Sequence, residues 1–269
     1  MNRLEHLEGS KLVLLGDSNL AFGMNSEELE AAFGLPVVNM GLHGAIGNEF
    51  HERMALTNVQ PGDIYVVCHT SFADDDSIGD ATVVWLTIED HFDLWRLLRL
   101  KDMLSLLKSY PAYLRKCLDL WAPGYGNQDY GATNVYFRTV FNAYGDIEWT
   151  DQGLEYDFGD YQSAPPGISE VAINRLNALN DALTAQGATL LIAGYPIADT
   201  SARSSDADFD AFEASLRSQL NAPVISHYTD YIYPCEDFFN SAFHLNNVGK
   251  ELRTQQLIAD LTAYFASVS

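Results

Sequence analysis

One stretch near the start of this chain constrains its fold more than any other. Lys11 leads into the apolar run Leu12 to Gly16, and the polar triplet Asp17-Ser18-Asn19 follows. Five such residues ending at a glycine have the length of a buried strand. Further on, Ser26 stands as an N-cap ahead of a helical pattern, Glu27 to Phe33. The expectation is a strand, a tight turn and, somewhat later, a helix. Open α/β sheets hold ligands beyond the carboxyl ends of their strands, which makes a serine at this point a site candidate. By itself the triplet is only a polar turn, and its weight depends on what lies downstream.

The pattern repeats. Leu35 to Asn39 reads as a second strand, Gly41 to Asn48 as a glycine-rich turn, and Glu49 to Asn58 as a helix. A Gln60-Pro61-Gly62-Asp63 turn leads into a third strand, Ile64 to Cys68. This β-α-β-α-β rhythm predicts an α/β fold, a three-layer α/β/α sandwich around a central parallel sheet. After Phe72 the rhythm breaks. Residues 83–120 carry Leu and Trp at helical spacing, and 121–166 are rich in Tyr, Gly and Asp. Residues 73–166 therefore read as a largely helical insertion after the third strand, either a substrate lid or a pack that covers the sheet. The rhythm resumes with a helix from Ile168 to Gln186, a strand from Ala188 to Ala193, a helix from Asp206 to Leu220 and a brief strand, Pro223 to Ser226. A Tyr- and Phe-rich segment runs to Phe243, and a final helix spans about Lys250 to Ala266. With no internal repeat, 1–269 is read as one domain.

Composition narrows the function. Apolar residues make up 47 %, enough for a substantial core, while 37 acidic against 15 basic residues give a net charge of −22. Such a chain repels phosphate backbones and anionic headgroups, which argues against nucleic acid and against electrostatic docking on a membrane. A neutral sugar or acyl ester is not excluded. Cys68, Cys117 and Cys235 are far apart and form no CxxC, so they read as free buried thiols. The start has no apolar leader, and no run of 18 apolar residues occurs, so a cytoplasmic protein without membrane insertion is expected.

Three separated pieces carry the chemistry: Gly16-Asp17-Ser18 after the first strand, Asn39 and Gly44 after the second, and His244-Leu-Asn-Asn-Val-Gly249 before the last helix. A serine and a histidine from opposite ends of a chain, both at strand ends, are how a hydrolase assembles a nucleophile and its base. Together the pieces resemble the SGNH (GDSL-type) hydrolase family, a flavodoxin-like architecture. Asn39-Met-Gly-Leu-His-Gly44, Pro61-Gly-Asp-Ile64, Phe243-His-Leu-Asn246, Gly249 and Arg253-Thr254 are similar in flavour to a DltD-like bacterial subgroup associated with modification of cell-surface polymers. The resemblance spans both sides of 73–166 and excludes that segment. It implies Ser18 as nucleophile, His244 as general base, and the N–H groups of Ser18 and Gly44 as an oxyanion hole.

The chain departs from that pattern twice. The third block normally supplies Gly-x-Asn, whereas here Cys68-His69-Thr70-Ser71-Phe72 follows the strand and leaves His69, Thr70 and Ser71 as alternative donors. The family's Asp, three residues before the histidine, is replaced by Ser241. Asn240 or Asp237 is then left to orient the imidazole, Asn240 in the manner of a papain-like Cys-His-Asn site. Asp17 reads as an organiser of the nucleophile turn, and His43 either contacts substrate or caps a helix. Asp74-Asp75-Asp76 is either a cation site or a solvated loop. His6, His51, His91 and His227 lack metal-ligand spacing, and no P-loop or GxGxxG is present, so neither metal nor cofactor is expected. Two functions follow. One is a serine esterase or deacylase acting on an O-acylated carbohydrate or other small ester, or an O-acyltransferase using the same chemistry. The other is a decayed, glycan-binding relative.

Overall fold

Leu12–Gly16 (β1) is buried along its whole length, so it lies at the centre of the sheet. In the computed structural model, which describes residues 1–72, 78–121, 140–148, 164–202 and 204–268, β1 pairs in parallel with Val37–Gly41 (β2) on one side and Ile64–Val67 (β3) on the other. Thr189–Ile192 (β4) extends the parallel sheet beyond β3, giving the order β2-β1-β3-β4.

The helices of this framework are Asn2–His6 (α1), Ser18–Gly23 (α2), Ser26–Phe33 (α3), Asn48–Ala55 (α4), Ala81–Ile88 (α5), Leu100–Trp121 (α6), Glu170–Thr184 (α7), Asp206–Gln219 (α8) and Asn247–Val268 (α9). Alternate strand residues face opposite layers, as strand geometry requires. Val13, Leu15, Tyr65 and Val67 pack with Phe50 and Met54 of α4, Leu176 of α7 and Leu216 of α8. Leu12, Leu14 and Val66 pack with Leu20 of α2, Leu29 of α3 and Leu257 of α9. The central sheet is thus covered on both faces.

Several boundaries differ from the sequence reading. A helix starts directly at Ser18, because Asp17 caps it through the Asn19 N–H at 2.9 Å. Asn25, not Ser26, caps α3, accepting from the Glu28 N–H at 3.3 Å. Pro223–Ser226 makes only an isolated bridge, Ile192 with Val224. The aromatic C-terminal segment holds short strands that its composition concealed: Ile232–Tyr233 (β6) pairs with Ile197–Ala198 (β5), and Phe238–Ser241 (β7) forms a hairpin with His244–Leu245 (β8). The three cysteines are free, but only Cys68 is buried.

Within the insertion, α5 and α6 form a helical pair in which Trp85 contacts Tyr110 and Tyr113. The stretch 140–148 runs along β2, whose Asn39 N–H donates to the Tyr144 carbonyl at 2.9 Å. Asp74 to Asp76 lie outside the described residues. Among the described residues, no helix is long and apolar enough to cross a membrane.

Candidate active site

The chain passes from β1 to β2 on one side and later to β3 on the other, so the sheet's switch point lies between β1 and β3. Ligands of open α/β sheets sit outside the carboxyl ends of such a strand pair. Ser18 follows β1 there, and Thr70 follows β3. The approach is tight. A Cβ on Gly16 would stand 2.9 Å from the Cys68 carbonyl oxygen, and one on Gly41 would stand 2.3 Å from the Ala21 nitrogen.

Side chains that do no chemistry hold the serine turn. One oxygen of Asp17 accepts from the Asn19 side-chain amide at 2.6 Å, and the other accepts from the Thr70 hydroxyl. Arg253 of α9, fully buried, donates to the Asn19 carbonyl and to Asn19 Oδ1, both at 2.6 Å. Asp17 is bonded within the turn, and Arg253 of the last sequence block is a clamp on the residue after Ser18. Ser18 occupies the first position of α2, where a backbone N–H has no partner within its own helix.

The β7–β8 hairpin brings the histidine. Ser241 pairs with His244 across the turn, which places Asn240 beside the imidazole. His244 Nε2 lies 2.8 Å from Ser18 Oγ, and Nδ1 lies 2.6 Å from Asn240 Oδ1. An amide oxygen only accepts, so Nδ1 carries the hydrogen and Nε2 is left to accept from the serine hydroxyl. The ring stacks on Phe22 with centroids 4.0 Å apart. Burial lowers the His244 pKa to about 4; the Asp17 carboxylate opposes this shift and His43 adds to it. His244 is therefore a neutral base at neutral pH.

The remaining candidates separate by their contacts. Gly44 opens the 3₁₀ turn Gly44–Ile46 and is exposed; a Cβ on it would lie 3.5 Å from Asp17 Cβ. His43 caps that turn, Nδ1 accepting from the Ala45 N–H at 3.0 Å. Asn39 is buried and fastens α2 to β2. Its amide donates to the Leu20 carbonyl at 3.0 Å and to Asp146 at 2.7 Å, and its oxygen accepts from the Gly41 N–H at 2.8 Å. His69 is drawn to Glu52 at 3.1 Å, a carboxylate also held by Arg175 at 2.8 Å. Of the three residues weighed after β3, Thr70 is the one bonded to the serine turn, while Ser71 lines a cavity beside it. Asp237 is not the partner of His244 Nδ1. It lies in the 3₁₀ turn just before β7, where its carbonyl accepts from the Asn246 N–H at 2.8 Å, and Asn240 is the residue at the ring.

The cavity, about 320 Å³, runs from Thr70 past Ile197 and Ala198 to Ala242 and Phe243, the residue before His244. Its walls mix polar side chains (Thr70, Ser71, Ser201) with apolar ones (Ile197, Ala198, Ala242 and Phe243). The Ser201 hydroxyl in its lining is buried and has no hydrogen-bond partner. Neither the Phe22 platform nor this cavity was legible in sequence, because both are assembled from elements distant along the chain. Away from the site, Glu5, His91 and Asp93 converge with ligand atoms within 4.8 Å of one another. Local spacing conceals such a group, and a His91–Glu5 contact at 3.3 Å accounts for its closeness.

The site thus sets a serine hydroxyl against a neutral imidazole, with a cavity nearby. No protein-family model, no curated protein and no solved structure matches this chain significantly.

Proposed function

We propose that this chain is an SGNH-type serine esterase or deacylase that works through an acyl-serine intermediate on an O-acylated carbohydrate or other small ester. The observation that carries this reading is the continuous chain from Ser18 Oγ to His244 to Asn240, at 2.8 and 2.6 Å. Ser18 Oγ attacks the ester carbonyl while His244 Nε2 takes its proton. The N–H groups of Ser18 and Gly44, each opening a helical turn, receive the negative charge of the tetrahedral intermediate. His244 then returns the proton to the leaving alcohol. Water resolves the acyl-Ser18 in the hydrolase; a sugar hydroxyl in the same place makes the enzyme an O-acyltransferase. The apolar side chains in the cavity wall, Ile197, Ala198, Ala242 and Phe243, support an acyl group as the buried part of the substrate. A decayed binding protein is the weaker reading, since it gives no reason for hydroxyl, imidazole and amide to stay in register.

The direct test is labelling with a fluorophosphonate probe. Wild type labels and Ser18→Ala does not. An unlabelled, folded wild type counts against the reading.

The pH profile gives a second test. The imidazole must be neutral to accept a proton, so kcat/KM is flat from neutral pH down to about 5 and falls as pH drops through the His244 pKa near 4. In Asn240→Asp a carboxylate beside Nδ1 favours the imidazolium, and the acid limb moves upward by roughly one to three pH units. An unchanged limb would remove Asn240 from its place as the orienting group.

A further inference from the structure

The whole-chain charge conceals a local reversal. Six of the chain's 15 Lys and Arg fall within residues 96–116 (Arg96, Arg99, Lys101, Lys108, Arg115 and Lys116), against a single acid, Asp102. Most of that segment is α6. The helix also carries Leu100, Leu104, Leu107, Leu114 and Leu118, spaced by four, three, seven and four residues, and exposed by 74, 52, 59, 41 and 68 %. At 3.6 residues per turn these five lie within an arc of about 80°. Lys101, Lys108 and Arg115, all exposed and seven residues apart, form a row along one flank of that arc. The buried side of the helix is different: Leu106 and Asp102 face the body, where Asp102 pairs with Arg99 at 2.6 Å.

Five exposed leucines aligned on one side of a helix 22 residues long are not the scattered exposure that folded surfaces tolerate. A leucine stripe bordered by cations has the composition of a helix that lies in a membrane interface, its leucines among the acyl chains and its ammonium and guanidinium groups at the headgroups. We propose that α6 docks this protein on the surface of an anionic lipid bilayer, the leucine stripe inserted and the Lys101-Lys108-Arg115 row paired with headgroup charges.

Charge complementarity selects this occupant over a second copy. Two α6 stripes packed antiparallel would place like-charged rows at one seam, and Pro111 interrupts the leucine spacing between Leu107 and Leu114. The other large apolar side chains exposed among the described residues are Tyr110 of α6 itself, Phe92 in the turn between α5 and α6, and Val171, Val248, Leu252 and Val268 on other helices, which form no matching stripe. The acidic remainder of the chain opposes docking only at short range, because its repulsion is screened beyond about 8 Å at physiological ionic strength. Docking would also bear on the site. Asp80 caps α5, and the N–H groups of Gly79 and Asp80 donate to the Ala45 carbonyl at 2.8 and 3.1 Å, which seats the α5–α6 pair on the turn that begins at Gly44.

The inference does not depend on serine chemistry, and its test needs no turnover. The full chain is floated with vesicles of equimolar phosphatidylcholine and phosphatidylglycerol, and with phosphatidylcholine alone. Wild type and Ser18→Ala float equally with the anionic vesicles, and much less with the neutral ones. Each cation at the surface contributes about 1 kcal/mol, so Lys101→Glu/Lys108→Glu/Arg115→Glu weakens partitioning at least 100-fold. Leu104→Glu/Leu107→Glu loses it. Both substituted proteins keep the wild-type circular dichroism, since the changed side chains are exposed. A folded wild type that stays with the pellet overturns the proposal, as does flotation that neither variant alters. A dimer in sedimentation velocity that Leu104→Glu/Leu107→Glu dissociates, without vesicle binding, assigns the stripe to a second copy and overturns it too.

Discussion

Replacing either Ser18 or His244 by alanine lowers kcat for an activated ester such as p-nitrophenyl acetate by roughly 10⁴- to 10⁶-fold, and replacing both costs little more. The two groups act as one unit. Without Nε2 at 2.8 Å the hydroxyl keeps its proton, and without the hydroxyl the imidazole has nothing to activate. The residual rate measures what the Ser18 and Gly44 N–H groups and the cavity supply alone. Additive losses, with the double variant far below either single one, would mean that the two residues act in separate steps and would remove the dyad from the mechanism. Steady-state kinetics on the three proteins, with circular dichroism to establish folding, decides the matter.

The second large effect concerns stability. Lys11 and Asp63 are both fully buried and paired at 2.7 Å. Lys11 Nζ also donates to the Asn58 carbonyl at 2.8 Å, and Asp63 accepts from the backbone N–H groups of Lys11 and Gln60 at 3.0 and 2.8 Å. This cluster joins the start of β1 to the start of β3, the two strands that frame the site. Lys11→Met keeps much of the side-chain volume but strands a carboxylate in the interior, and is expected to cost about 3–5 kcal/mol. Adding Asp63→Asn removes that charge and recovers part of the loss, because the two changes share one interaction. Urea unfolding of the three proteins reads this as a drop in midpoint for Lys11→Met and a smaller drop for the pair. A Lys11→Met midpoint close to wild type would show that the pair does not hold the two strands together.

Much of the framework was legible in the sequence, because its signals are local. Leu12 to Gly16 and Ile64 to Cys68 read as apolar runs of strand length; the first lies in the sheet with those bounds, and the second ends one residue earlier, at Val67. The helices read from Ile168 and Asp206 begin at Glu170 and Asp206, the first two residues later because Ser169 caps it. The hairpin that carries His244 was not legible. Its strands are four and two residues long, its aromatic composition fits loop or sheet, and its register depends on packing against α2 and α9. For the same reason the orienting residue stayed open between Asn240 and Asp237 until the pairing of Ser241 with His244 was seen. His69 points the same way. By position it was a candidate oxyanion donor, but Glu52 of α4, a buried carboxylate, holds its ring instead.

By itself the sequence determined the alternation of strands and helices, the parallel sheet, the serine after β1, and the presence of a histidine and an asparagine four residues apart near the end. These follow from hydrophobic periodicity, capping and spacing, which act over a few residues. Only the tertiary structure decided that Ser18, His244 and Asn240 form one hydrogen-bonded line, that Arg253 and Thr70 brace the serine turn, and that a leucine stripe with a basic flank lies exposed on a chain of net charge −22. Those features depend on which faces meet across the sheet and which helix side is left outside. Contacts between residues up to 234 positions apart set that outcome, and no local pattern encodes them.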